Sequence, residues 1–183
     1  MAVPLFKQFY KVARQRQCSS PSPSPIAQYK TSNNGYAVVM DNEGGYLTLI
    51  AQKQYSAGDI FSAFLLADVA PKPSYHSVQI DERSHSTLYP TALQYIKHSC
   101  DPNVFIDIHQ SYIVCLKPIQ IDEPITVFYP STEWDMSDGF TCLCESHDCL
   151  GTVRGAKFID SAILNRHRLS RHIKRLKSES IFY

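Results

Sequence analysis

The chain has no run of about eighteen apolar residues, which argues against a membrane-crossing helix and against a membrane partner. It also lacks the apolar core and small-residue cleavage pattern of a secretory leader, because Lys7, Lys11, Arg14 and Arg16 break up its beginning. No internal repeat is visible, and the first forty residues hold no acid at all. These absences make an intracellular compartment the expectation, nucleus or cytoplasm. The acid-poor start with its Arg and Ser residues keeps organelle targeting as an alternative. In a reducing compartment, six cysteines point to metal binding or catalysis rather than to disulfides.

What is present suits one globular domain with short tails. The 183 residues are long enough to bury a real core, and 44% of them are hydrophobic. The net charge of +1 hides a segregation. Residues 1–40 carry five Lys/Arg, and residues 160–183 carry six against Asp160 and Glu179. Residues 41–159 hold seven Lys/Arg against fifteen Asp/Glu. An acidic body suits a basic partner held by long-range attraction, and surface acids also serve solubility alone.

Residues 1–27 read as a flexible, basic, Ser-Pro-rich tail. PLFKQFYKVARQR can form an amphipathic helix with Leu5, Phe9 and Val12 on one side, and CSSPSPSP then breaks it. From Gln28 the texture is β: YAVVM, YLTLIA, DIFSAFLL, YHSVQI, NVFIDI, SYIVCL and PITVFY are short β-branched and aromatic runs between turn signals. The expected class is mostly β, built from small curved sheets rather than a βαβ array. Two stretches read as helix. One is TLYPTALQYI. The other is DSAILNRHRLSRHIKRLKS, with Ala162, Leu169, Ile173 and Leu176 as its apolar stripe.

Cys142, Cys144 and Cys149 form C-x-C-x4-C, a ligand-like spacing that is one short of a structural zinc site. Candidates for the fourth ligand are Cys100, Cys115, Cys18 and His147. Cys115 sits in an alternating strand, where a free thiol is most often a small core residue. Cys18 belongs to the Ser-Pro tail, and His147 would crowd three ligands already close together. Cys100 remains, and its turn-rich setting, YIKHSCDPN, suits a ligand loop.

HSCDPNV, then PITVFY, then F-x-C-x-C-x4-C-x-G occur in that order within the stretch from Ala51 to about Gly155. In this the chain is similar to the SET-domain protein lysine methyltransferases. The resemblance implies a β-clip fold with a pseudoknot, a SET domain over 28–138, a post-SET zinc segment over 139–155 and a basic C-terminal helix over 156–183. It implies a structural Zn2+ on Cys100, Cys142, Cys144 and Cys149, and methyl transfer from S-adenosylmethionine to a lysine amine. Tyr129 matches the catalytic tyrosine, whose hydroxyl orients amine and methyl donor. Asn103 and the backbone around His98 and Ser99 match the loop that receives the cofactor. Phe140 and Trp134 are candidates to cover the adenine ring, or else fill core.

The chain departs from the family pattern at several places. Tyr46, Leu47 and Thr48 stand where a Gly-x-Gly lets backbone approach the cofactor, with Gly44 and Gly45 just upstream. Lys97 replaces an asparagine, and either pairs with a cofactor carboxylate or blocks it. Gln94 and Phe128 replace an arginine and an aspartate, and Asp122 stands in place of a turn glycine. The expected partner is a lysine-containing protein, histone or other basic protein by analogy. A catalytically inactive interaction module is the alternative. Contact with nucleic acid through Arg166, Arg168, Arg171, Lys174, Arg175 and Lys177 is a further alternative, although such a face is more often simply solvated.

Overall fold

In the computed structural model, residues 29–31, 35–40, 46–74 and 76–180 are described. The tail expected over 1–27 lies outside them, as do Cys18, Gly44 and Gly45. Thirteen short strands form four small sheets among the described residues. The first sheet is an antiparallel meander of β1 (Tyr29–Thr31), β2 (Tyr36–Met40) and β3 (Leu47–Ala51). Next come β4 (Ile60–Ala63) and β5 (Leu65–Ala70), which go to different sheets. Strand β5 pairs with β7 (His85–Tyr89), and β7 with β6 (Val78–Gln79), all antiparallel.

The central sheet has the order β4, β10 (Tyr112–Cys115), β9 (Val104–Asp107), β11 (Thr126–Val127), β8 (Lys97–His98). Strands β4, β10 and β9 are antiparallel, whereas β11 runs parallel to both β8 and β9. A final hairpin joins β12 (Phe140–Thr141) to β13 (Thr152–Val153). Every β-run named from the sequence contributes a strand. The class is mostly β.

Three apolar clusters follow from this layout. The largest unites Tyr36 and Leu49 of the first sheet with Phe61, Val104, Ile113 and Ile125, and Tyr36 stacks on Phe61 at 5.3 Å. A second holds Phe128 against Leu164, Leu169 and Ile173, and a third holds Phe140 and Val153 against Cys100 and Cys142.

The first expected helix is corrected, and the C-terminal one is present but shorter than its sequence stretch suggested. In TLYPTALQYI, Thr87 to Tyr89 belong to β7 and only Thr91–Tyr95 coils, as a 3-10 turn. Pro90 explains the split, since proline holds the preceding residue extended and cannot donate back into a helix. The C-terminal stretch is two helices, α1 (Ser161–Leu164) and α2 (Arg171–Glu179), instead of one. Asp160 starts α1 by accepting from the Ala162 N–H at 2.7 Å. Tertiary bonds then win over helix propensity. The His167 ring stacks on Phe128 at 3.8 Å, and the amide and hydroxyl of Ser170 both donate to Ser131 O, at 3.0 and 2.7 Å. Leu169 and Ile173 are buried and Leu176 half-buried, but Ala162 is exposed, so the expected stripe holds only in part.

Candidate active site and cysteine cluster

Residues 97–104 form a loop whose two arms accept a distant segment between them. Lys97 N donates to Ile125 O (3.1 Å), Ser99 N to Val127 O (3.1 Å) and Asn103 N to Thr126 O (3.2 Å). The β11 segment therefore lies inside the loop, in the interleaving expected of the two motifs. Asn103 braces it. Its Nδ2 donates to Pro124 O (2.8 Å) and Glu123 Oε1 (3.1 Å), while its Oδ1 accepts from Thr126 N (2.8 Å). The amide on which the cofactor expectation rested is thus engaged with the protein's own backbone.

The chain leaves β11 through Phe128 into Tyr129, which is held at both ends by the β8 side of the loop. Its N–H donates to His98 Nδ1 (3.1 Å) and its hydroxyl donates to Ile96 O (3.1 Å). The His98, Tyr129 and Phe140 rings pack edge to face, with centroids 5.3 to 6.1 Å apart.

Tyr129 also lines a cavity of about 450 Å3. Ile96, Leu88, Leu93, Ile106 and Val127 supply its apolar wall, and Glu133, Asp135 and Asp138 give it negative charge. Asp135 is paired with Lys157 at 2.8 Å. His76 and His85 line it too, and burial lowers the pKa of both, so the acids face mostly neutral imidazoles near neutral pH. Glu133 is tied to β6, because Gln79 N donates to its Oε1 (2.9 Å) while Trp134 N donates to Gln79 Oε1 (2.8 Å).

Of the residues expected at the cofactor, only Tyr129 lines this cavity among the described residues. His98 and Phe140 are buried against another face of Tyr129, and Lys97 precedes His98 in β8, half-buried. Tyr46, Leu47 and Thr48 are half-buried at the start of β3, where Leu47 packs on the main core. Trp134 instead packs on the Phe128 cluster beneath the C-terminal helices. His76, His85 and Glu133 were missed from the sequence. They reach the cavity only through the pairing of β6 and β7 and the Gln79 bridge, and no local motif marks them.

The four cysteine sulfurs do come together. Sγ of Cys100, Cys142, Cys144 and Cys149 all lie within 4.8 Å of one another. Zn–S bonds of about 2.3 Å in a tetrahedron place sulfurs about 3.8 Å apart, so the set fits zinc with a small contraction. Amides are aimed at the sulfurs as well: Leu150 N donates to Cys100 Sγ (3.4 Å) and Gly151 N to Cys149 Sγ (3.5 Å). Within the pair, contact with Cys142, then His98 and the Leu150 amide, holds the Cys100 thiol pKa down, while contact with Cys100 and burial push Cys142 up. The alternatives for the fourth ligand separate cleanly. His147 is 99% exposed and bonded to Asp148, and Cys115 is buried in the main core.

The basic C-terminal residues are largely engaged at home. Arg166 pairs with Asp148, Arg168 with Asp107, and Arg175 with Glu82 and Glu179, while Lys177 donates to Ile159 O. No helix among the described residues is long and apolar enough to cross a membrane.

The family model described as the SET domain matches residues 10–130. The chain belongs to the SET-domain family. Over 122 residues it is 37% identical to methyltransferase flvH of Aspergillus flavus, covering 66% of this chain and 68% of that protein. Over 71 residues it is 38% identical to a SET and MYND domain-containing protein of Dictyostelium discoideum, covering 32% of this chain and a 20% share of that one. Among solved structures, the methyltransferase domain of human PR domain-containing protein 2 aligns at a TM-score of 0.40 and 17% identity, over 60% of this chain and 95% of that domain.

Proposed function

We propose that this SET-domain protein is a methyltransferase that moves the methyl group of S-adenosylmethionine to the amine of a protein lysine. One observation carries the reading. Tyr129 is shared between an acid-lined cavity and a buried aromatic cluster that also contains His98 and Phe140. Amine and methyl donor can therefore approach one hydroxyl from two sides.

The residues beside that cluster fit the chemistry of the cofactor. Phe140 offers an aromatic surface for a purine, and Lys97 brings a cation suited to an amino-acid carboxylate. Tyr46, Leu47, Thr48, His98 and Asn103 complete the set proposed to hold it. When bound, S-adenosylmethionine supplies an electrophilic methyl on a sulfonium. Everything else falls to the chain. The acids draw a cationic side chain toward the cavity mouth. The apolar wall of Ile96, Leu88 and Val127 then disfavours the charged ammonium, so the amine enters the reaction neutral. While it donates to Ile96 O, the Tyr129 hydroxyl would accept an N–H bond from the amine and so fix the direction of the nitrogen lone pair. Cys100, Cys142, Cys144 and Cys149 would hold a zinc ion that clamps the β12–β13 hairpin, and with it Phe140, against the body.

The test is transfer of labelled methyl to a mixture of lysine-rich proteins by the full chain, beside Tyr129→Phe. Transfer by the wild type that Tyr129→Phe loses supports the reading. No transfer by folded, zinc-loaded protein to any of them favours an interaction module. Transfer to a free small amine in place of protein moves the substrate class.

A further inference from the structure

His98 is fully buried, and its ring is bonded to two parts of the site at once. The Tyr129 N–H can only donate, so His98 Nδ1 carries a lone pair and the proton of the neutral ring sits on Nε2. Nε2 lies 3.4 Å from Cys100 Sγ. The ring is wedged among Phe128, Tyr129 and Phe140, with centroids 5.8, 5.3 and 5.5 Å away, so it cannot turn over without unpacking all three. Cys100 Sγ belongs to the four-sulfur cluster. An unbroken chain of contacts therefore runs from a cluster sulfur, through one imidazole, to the backbone amide of the residue whose hydroxyl lines the cavity.

We propose that His98 is a positioning residue that couples the metal state of the cysteine cluster to Tyr129: Nε2–H holds Cys100 Sγ, Nδ1 holds the Tyr129 amide, and metal loading thereby fixes where the Tyr129 hydroxyl sits. The proposal rests on the reading of Tyr129 given above and goes beyond it, since it assigns the His98 side chain a task distinct from cofactor binding. The physical reason is rigidity. A sulfur anchored by a metal holds its hydrogen-bond donor in one place, whereas the same sulfur in a loosened hairpin does not. Tyr129 feels the difference because its other anchor, Ile96 O, lies only two residues from His98 along the same strand segment.

Two substitutions cut the connection at different points. His98→Asn keeps an acceptor near the Nδ1 position but leaves Cys100 unlinked. His98→Gln keeps a donor near the Nε2 position but leaves the Tyr129 amide without its acceptor. The experiment is hydrogen exchange and amide resonance of Tyr129 in the full chain labelled with 15N-tyrosine, with and without zinc, the resonance being assigned from its loss in Tyr129→Phe. In the wild type, zinc should slow exchange at Tyr129 at least about tenfold and shift its amide resonance. Both His98 variants should still bind zinc within about a hundredfold of wild type, as expected for an outer partner of a metal ligand. Both should lose the response: the Tyr129 amide stays protected with or without zinc in His98→Asn, and stays exposed in His98→Gln. Cys144→Ser, which breaks the cluster without touching His98, should leave Tyr129 in its zinc-free state and serves if the His98 variants do not fold. An unresponsive Tyr129 in the wild type overturns the proposal, as does a wild-type response in either His98 variant. The amide measurement needs no substrate. Absence of methyl transfer would sink the functional reading alone, and an unresponsive Tyr129 with transfer intact would sink the coupling alone.

Discussion

Gly155 lies between β13 and the loop that floors the cavity, and replacing it tests how tightly these are joined. Its φ of 112° and ψ of 166° occupy a region that is essentially glycine-only. A Cβ at this position would meet Trp134 O at 2.5 Å and Asp135 N at 3.1 Å. Both are backbone atoms that cannot rotate away. Gly58 serves as the control, since its φ is +90° but a Cβ there meets nothing within 4 Å. Gly58→Ala should cost only the conformational part, about 1–2 kcal/mol. Gly155→Ala adds the overpacking, for a total of about 3–5 kcal/mol. At about 3 °C per kcal/mol for a chain of this size, the melting temperature should fall by about 3–6 °C and about 9–15 °C respectively. Circular dichroism melts of the full chain measure both. Activity should fall in Gly155→Ala as well, because Met136 N donates to Arg154 O and Ala156 N to Glu133 O across the same junction. Equal losses in the two variants would refute the reasoning.

Other outcomes follow from the same structure. Cys142→Ser should weaken zinc binding by more than about a hundredfold, since changes to outer partners alone cost 10–100-fold. Hydrogen exchange should then rise across residues 139–155 while β9 and β10 stay protected. Ile173→Ala, at a fully buried site under α2, should cost about 2–5 kcal/mol in denaturant unfolding; a loss below about 1 kcal/mol would mean that the C-terminal helices are not part of the cooperative core. Burial lowers the pKa of His76, His85 and His172 below the ordinary value of 6.5. The unfolded chain therefore binds protons more readily, so the stability these groups contribute is present above about pH 6.5 and is lost as pH falls through their native values. The melting temperature should drop from pH 7 to pH 5.5, and His172→Gln should flatten the curve. Tyr129→Phe should cost about 1 kcal/mol of stability for the lost bond to Ile96 O, but about 10²–10³-fold in turnover.

Much of this was legible in the chain because it is written locally. Runs rich in β-branched and aromatic residues such as SYIVCL and NVFIDI had to become strands, and they pair in register as β10 and β9. Three cysteines at C-x-C-x4-C needed a fourth, and the turn-rich loop around Cys100 was the place for it. What stayed hidden depends on contacts between distant segments. The break between α1 and α2 is imposed by Ser131 and Phe128, some forty residues upstream, against a sequence with a good helical stripe. Thr87 to Tyr89 extend because they pair with Leu65 to Ala67 of β5, although their own sequence reads equally well as the start of a helix. The double engagement of His98 and the histidines of the cavity wall emerge only when the loop, β11 and the hairpin are assembled.

The most direct measurement is calorimetric titration of the full, zinc-loaded chain with S-adenosylmethionine. The account predicts one site of micromolar affinity, retained in Tyr129→Phe and weakened in Phe140→Ala. A folded, zinc-loaded protein that gives no heat of binding would contradict it.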